Sequence, residues 1–143
     1  MSDAAYNYIF DHVPRLCVDV IIRDIQAPDH VLLSLRDIEP FKGSWHIPGG
    51  RVHKGELVGE ATIRIARAET GLEVMFKKLL DFSEYTNEIR NGHVGHSVSL
   101  VVEADIIGGS LKKDHQATEL RYWNTVPPIV LPAHHSVLFK FMG

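Results

Sequence analysis

The chain has 143 residues, 45% of them apolar and 23% charged, which excludes a disordered polypeptide and fits a single domain over residues 1–143 with its own hydrophobic core. A formal charge of −3 excludes a sequence-independent nucleic-acid binder, which needs a basic footprint, but leaves room for a small anion held by a local group of cations. One cysteine, Cys17, excludes an internal disulfide.

The N-terminal MSDAAYNYIF has neither a basic stretch nor a long apolar run, and no segment approaches the roughly 20 apolar residues of a membrane span. A cytoplasmic protein without a membrane partner is expected. The segment AAYNYIFDHV is read either as an exchanged or interface segment of a homodimer or as a cap on its own sheet. RLCVDVIIRD (Arg15 to Asp24) is rich in Val, Ile and Leu and is predicted to be a strand, with Cys17 buried in it. HVLLSLRD (His30 to Asp37) is the next strand, Leu33 and Leu35 alternating with Ser34 and Arg36. SWHIP is a short extended piece, because Pro48 biases Ile47 away from helix.

A helix is predicted from about Glu56 to about Thr70, with Leu57, Ala61, Ile65 and Ala68 at helical spacing and Gly71 as the left-handed residue beyond its end. EVMFKKLLDFSEYT reads as a bent strand, NEIRNGHVG as a loop or hairpin tip, and HSVSLVVEADII as a strong strand. GGSLKKDHQAT is a loop, ELRYWN a short strand, VPPIVLP an extended linker and AHHSVLFKFM a closing helix. This order predicts an α/β (α+β) sandwich, with the long helix packed on a mixed sheet.

Chemistry concentrates in WHIPGGRVHKGELVGEATIRIARAETGL, Trp45 to Leu72. Gly49 and Gly50 let the backbone turn sharply and approach a ligand, and the free N–H groups of the helix that follows favour an anion if they face the site. Five residues separate Gly50 from Glu56, and seven separate Glu56 from Arg64, before Glu69, Gly71 and Leu72. This resembles the signature of the Nudix hydrolases, a loop–helix–loop in an α/β/α sandwich around a mixed sheet. The full signature has carboxylates at the positions of Ile65, Ala68 and Glu69, suited to divalent metals; only Glu69 is acidic here. The pattern GGRV-x-K-x-E…R-x-x-x-A-E-x-G-L is most similar to the GDP-mannose mannosyl hydrolases, a branch that also keeps only the last acid. That branch displaces GDP from the sugar carbon, where the usual branch attacks phosphorus.

The resemblance implies a site. Gly49 through its carbonyl, Glu69 and Gln116 would hold Mg²⁺, with Mn²⁺ as a substitute. Arg36 and Arg51 would face the diphosphate and the leaving group, and guanidinium forks suit phosphate oxygens. Asp19 would contact the sugar; an acid inside CVDVII is costly to bury without a partner, so a structural hydrogen bond is the other reading. Glu56 and Arg64 would brace the loop against the helix. The related branch has a histidine directly after the ligand glutamine, where this chain has Ala117. His115 is therefore the candidate general base, with His93 and His96 of the NGHVGH loop as further candidates and His93 also assigned to substrate binding. His46, His53, His134 and His135 are read as surface or packing residues.

The expected function is Mg²⁺-dependent hydrolysis of a nucleoside diphosphate sugar such as GDP-mannose, releasing GDP and the sugar. The alternatives are a conventional pyrophosphatase recruiting Glu60, Glu103 or Glu119, and a non-catalytic nucleotide-sugar binding module.

Overall fold

The structure is a computed structural model describing residues 1–39, 41–112 and 117–142, and of Thr118 the backbone alone. In chain order its elements are α1 (Asp3–His12), β1 (Arg15–Ile22), β2 (Val31–Arg36), β3 (Trp45–His46), β4 (Gly49–Arg51), α2 (Val58–Thr70), β5 (Leu72–Arg90), β6 (His93–Gly109), β7 (Ala117–Trp123), a 3-10 turn (Pro132–His134) and α3 (His135–Met142).

The strands form two sheets, the first of them the mixed sheet expected. The first has the order β4–β1–β6–β5, with β1 parallel to β6 and the other pairs antiparallel. The second, β3–β2–β7, is antiparallel, and an isolated bridge between Arg23 and Val31 links β1 to β2. Alternation along each strand sorts the core into two layers. Val18, Val20, Ile22, Leu32 and Val102 pack with Ala61, Ile65 and Ala66 of α2, while Ile21, Leu33 and Val101 pack with Val137 and Leu138 of α3. Helices therefore cover opposite sides of the strands, giving the expected α/β/α sandwich.

Helix α2 ends at Gly71 in the left-handed conformation, φ 78°. Of the two readings of NEIRNGHVG, the hairpin tip holds: β5 and β6 run through the segment, and only Asn91 (φ 49°) and Gly92 (φ 79°) form the turn. Asn-Gly with two positive φ values matches the right-handed twist of a hairpin. The bend foreseen in β5 takes the form of register shifts against β6, including those at Phe76/Lys78 and Leu79/Asp81. The N-terminal segment is helical and seats Phe10, 2% exposed, against Gly95 of its own β6. The stretch before α3 is not a free linker, because Val130 bridges to Trp45 and the Leu131 N–H donates to the Trp45 carbonyl. Among the described residues no helix is long and apolar enough to cross a membrane.

Candidate active site

A cavity of about 900 Å³ opens over the polar face of the first sheet, lined by Tyr6, Arg15, Cys17, Asp19, Arg36, His46, Gly49, Arg51, Glu69, Tyr85, Glu88, Arg90 and His134 among others. Its floor follows from strand alternation: Val18, Val20 and Ile22 of β1 face the α2 core, so Cys17 and Asp19 face the other way. Cys17 is thus at the cavity wall rather than in the core, and burial raises its thiol pKa.

Gly49 sits opposite Asp19 in the β1–β4 ladder. Val20 N–H donates to Pro48 O and Val52 N–H to Leu16 O, so by antiparallel alternation the N–H and C=O of Gly49 point away from β1. They point toward α2, where the Glu69 carboxylate accepts the Gly49 N–H at 2.8 Å. The Gly49 carbonyl shares that direction. A Cβ on Gly49 would collide with the Asp19 carboxylate and the Val18 carbonyl, so the close approach of β4 to Asp19 requires glycine.

The three positions of the acidic signature diverge on α2. Ile65 is 2% exposed and packs in the core, with its side chain 3.5 Å from where a Cβ of Gly50 would lie. Ala68 is exposed, and Glu69 lies between these extremes. The α2 N-terminus does not line the cavity; the helix reaches it through Glu69, in its last turn. Arg64 donates to both oxygens of Glu56, at 2.7 and 2.9 Å, and to the Arg51 carbonyl at 2.8 Å. Glu56 also accepts from the His53 N–H. These bonds brace the loop as expected, and the Arg64 hydrogen bond holds the Glu56 pKa at about 2.

Asp19 is 4% exposed and does not lack partners: Ser99 Oγ donates to its Oδ2 at 2.6 Å, and His134 Nε2 lies 3.5 Å from the same oxygen. His134, 4% exposed, accepts the Ile47 N–H on Nδ1 at 3.0 Å. Its neutral ring therefore carries the proton on Nε2, facing Asp19. His46 donates from Nδ1 to the Ile47 carbonyl at 3.0 Å, leaving Nε2 with the lone pair; burial, then the proximity of His134, lower its pKa to about 4. Both rings belong to the cavity and not to the surface or packing role expected of them. No sequence spacing marks His134, which reaches Asp19 only because Val130 and Leu131 pair with β3.

Arg36 and Arg51 both line the cavity. Burial, then the positive charge of Arg90, lower the Arg36 pKa. Tyr85 stands across the floor, its pKa raised first by burial and next by the Asp19 charge. His93 does not line the cavity; its Nδ1 lies 2.7 Å from Asp11 of α1. His96 lines a separate small cleft beside Phe10. Glu60, Glu103 and Glu119 are also outside the cavity, Glu103 being paired with Arg23 and Glu119 with Arg121. His115 and Gln116 lie outside the described residues; Ala117, the first described residue after them, sits opposite Arg36 in the ladder.

Mg²⁺ commonly takes one or two carboxylates, with water and substrate phosphates completing its shell. The Glu69 carboxylate and the Gly49 carbonyl fit that pattern. Among the described residues no group of three His, Cys, Asp or Glu side chains could hold an ion unaided.

The NUDIX domain family model matches residues 13–141. The chain belongs to the Nudix family. It is 36% identical over 131 residues to an ADP-ribose pyrophosphatase of Methanocaldococcus jannaschii, covering 90% of this chain and 73% of that protein. It is 30% identical over 131 residues to the low-salt glycan biosynthesis protein Agl8 of Haloferax volcanii, covering 90% and 81%. The fold superposes on a MutT NUDIX hydrolase of Burkholderia pseudomallei with a TM-score of 0.75 at 23% identity, over 91% of this chain and 98% of that one.

Proposed function

We propose that this Nudix protein is a single-domain, divalent-metal-dependent hydrolase of nucleoside diphosphate sugars, GDP-mannose or a relative, that cleaves the bond between the sugar carbon and the diphosphate oxygen. The observation that carries this reading is the single acid at the three signature positions of α2: Glu69 holds the Gly49 N–H at 2.8 Å, while Ile65 is built into the core and Ala68 has no ligating atom. Attack on phosphorus by a metal-activated water relies on a richer set of acids than this. Displacement at carbon needs only a stabilised leaving group and a base.

The water oxygen bonds to the anomeric carbon as the C–O bond breaks. The diphosphate departs with the bonding pair, and the water proton passes to the base, the role proposed for His115. Arg36 and Arg51 bind the diphosphate through charge-assisted hydrogen bonds. Asp19, fixed by Ser99 and His134, accepts a sugar hydroxyl. Bound Mg²⁺ or Mn²⁺, held by the Gly49 carbonyl, Glu69 and Gln116, would offset charge on the leaving diphosphate.

A second reading, hydrolysis of the pyrophosphate link, is favoured by the 36% identity to an ADP-ribose pyrophosphatase. The test is a panel of GDP-, ADP- and UDP-linked sugars with Mg²⁺, the products separated by chromatography. Nucleoside diphosphate plus free sugar supports the first reading; nucleoside monophosphate plus sugar phosphate supports the second. No turnover on any member overturns both and leaves a binding module.

A further inference from the structure

Tyr6 and Arg90 line the cavity but have no part in the site so far. Tyr6 comes from α1, which precedes the residues matched to the family, and Arg90 ends β5. The Tyr6 hydroxyl accepts from Arg15 Nη1 at 2.9 Å and from Arg90 Nη1 at 3.2 Å. The guanidinium carbons of Arg51 and Arg90 lie 5.5 and 5.7 Å from the Tyr6 ring centroid, within cation–π range.

The three arginines around Tyr6 differ in charge balance. Arg15 is paired with Glu88 and donates to Ser97. Among the described residues no carboxylate forms an ion pair with Arg51 or Arg90, and both side chains contact Tyr6. Arg36 is close enough to Arg90 to feel its positive charge. Like charges gathered in a cavity repel one another until an anion enters, and a multiply charged anion relieves that repulsion most.

We propose that Arg90 is a third guanidinium contacting the substrate diphosphate, beside Arg36 and Arg51, and that Tyr6 is the residue that positions Arg90 and Arg51 toward it. This rests on the reading of the cavity as a nucleoside diphosphate site. Tyr6 fixes two long side chains before the ligand arrives, so less conformational freedom is lost on binding. Seating of Phe10 against Gly95 holds α1, and hence Tyr6, in place.

Calorimetric titration with Mg²⁺–GDP and Mg²⁺–ADP, and with the uncharged guanosine and adenosine, tests this. Arg90→Gln is expected to weaken diphosphate binding about 10- to 30-fold, the loss of a hydrogen bond to a charged group, with nucleoside binding unchanged. Arg90→Lys restores part of the loss. Tyr6→Phe keeps the ring and weakens binding less, about 3- to 5-fold. Arg67→Gln, which removes an exposed arginine paired with Glu73, binds as the wild type. Wild-type affinity in Arg90→Gln, or equal losses for nucleosides and diphosphates, would overturn the inference alone. A wild-type protein without affinity for either diphosphate would overturn the reading of the cavity together with it.

Discussion

The two ends of the cavity are built differently. At the acid end, Asp19, Gly49 and Glu69 are fixed by the β1–β4 ladder, by core packing of α2 and by short hydrogen bonds. At the arginine end, Arg51 and Arg90 converge on one tyrosine from a peripheral helix. In the proposed reading, the contrast teaches that the reacting centre would be specified by backbone geometry, whereas diphosphate recognition would depend on long side chains held by an added element. Changes at the first end therefore act on folding and turnover, and changes at the second on affinity.

Ile65→Glu should break the acid end most severely. A carboxylate placed in the core without a partner is expected to cost about 3–5 kcal/mol of stability, read from urea unfolding, and no metal binding should be gained. Ala68→Glu, on the exposed side of α2, should stay within about 0.5 kcal/mol of wild type. Glu69→Gln removes the charge of the only acid at these positions and should lower kcat about 100-fold, or ~2.7 kcal/mol, with a weaker response to Mg²⁺ in activity titrations.

Acidification sharpens the comparison further. The folded-state pKa of His46, about 4, lies below its ordinary value of 6.5. The unfolded chain therefore binds the extra proton first, and stability falls as pH drops through 6.5 toward 4. A loss of about 1–2 kcal/mol between pH 7 and pH 5 is expected, abolished in His46→Gln. Arg51→Gln, at the other end, should raise KM about 10-fold with little change in unfolding midpoint; its effect should shrink at high salt, where exposed charges are screened.

Much of this was legible in the sequence where the signal is local. Apolar runs marked β1 and β2, helical spacing marked α2, and the Gly50–Glu56–Arg64 spacing marked the braced loop. The two apolar replacements looked equivalent by spacing, yet packing separates them, because only Ile65 points at the β1 and β2 core. Asn91-Gly92 was read as a loop or hairpin tip, and the polarity around it masked how far the two long strands run into the segment. Helix α1 carries a single buried side chain, Phe10, too little apolar pattern to announce itself. His134 and Tyr6 were invisible for a further reason. Their partners Asp19, Ile47, Arg51 and Arg90 are tens of residues away or more, joined only by the folded sheets and the strand-like path of residues 129–131.

Hydrolysis in ¹⁸O-water, with mass analysis of both products, tests the central claim most directly. Attack at carbon places the label in the released sugar and leaves the nucleoside diphosphate unlabelled. Label in a phosphate group, with nucleoside monophosphate and sugar phosphate as products, would contradict it.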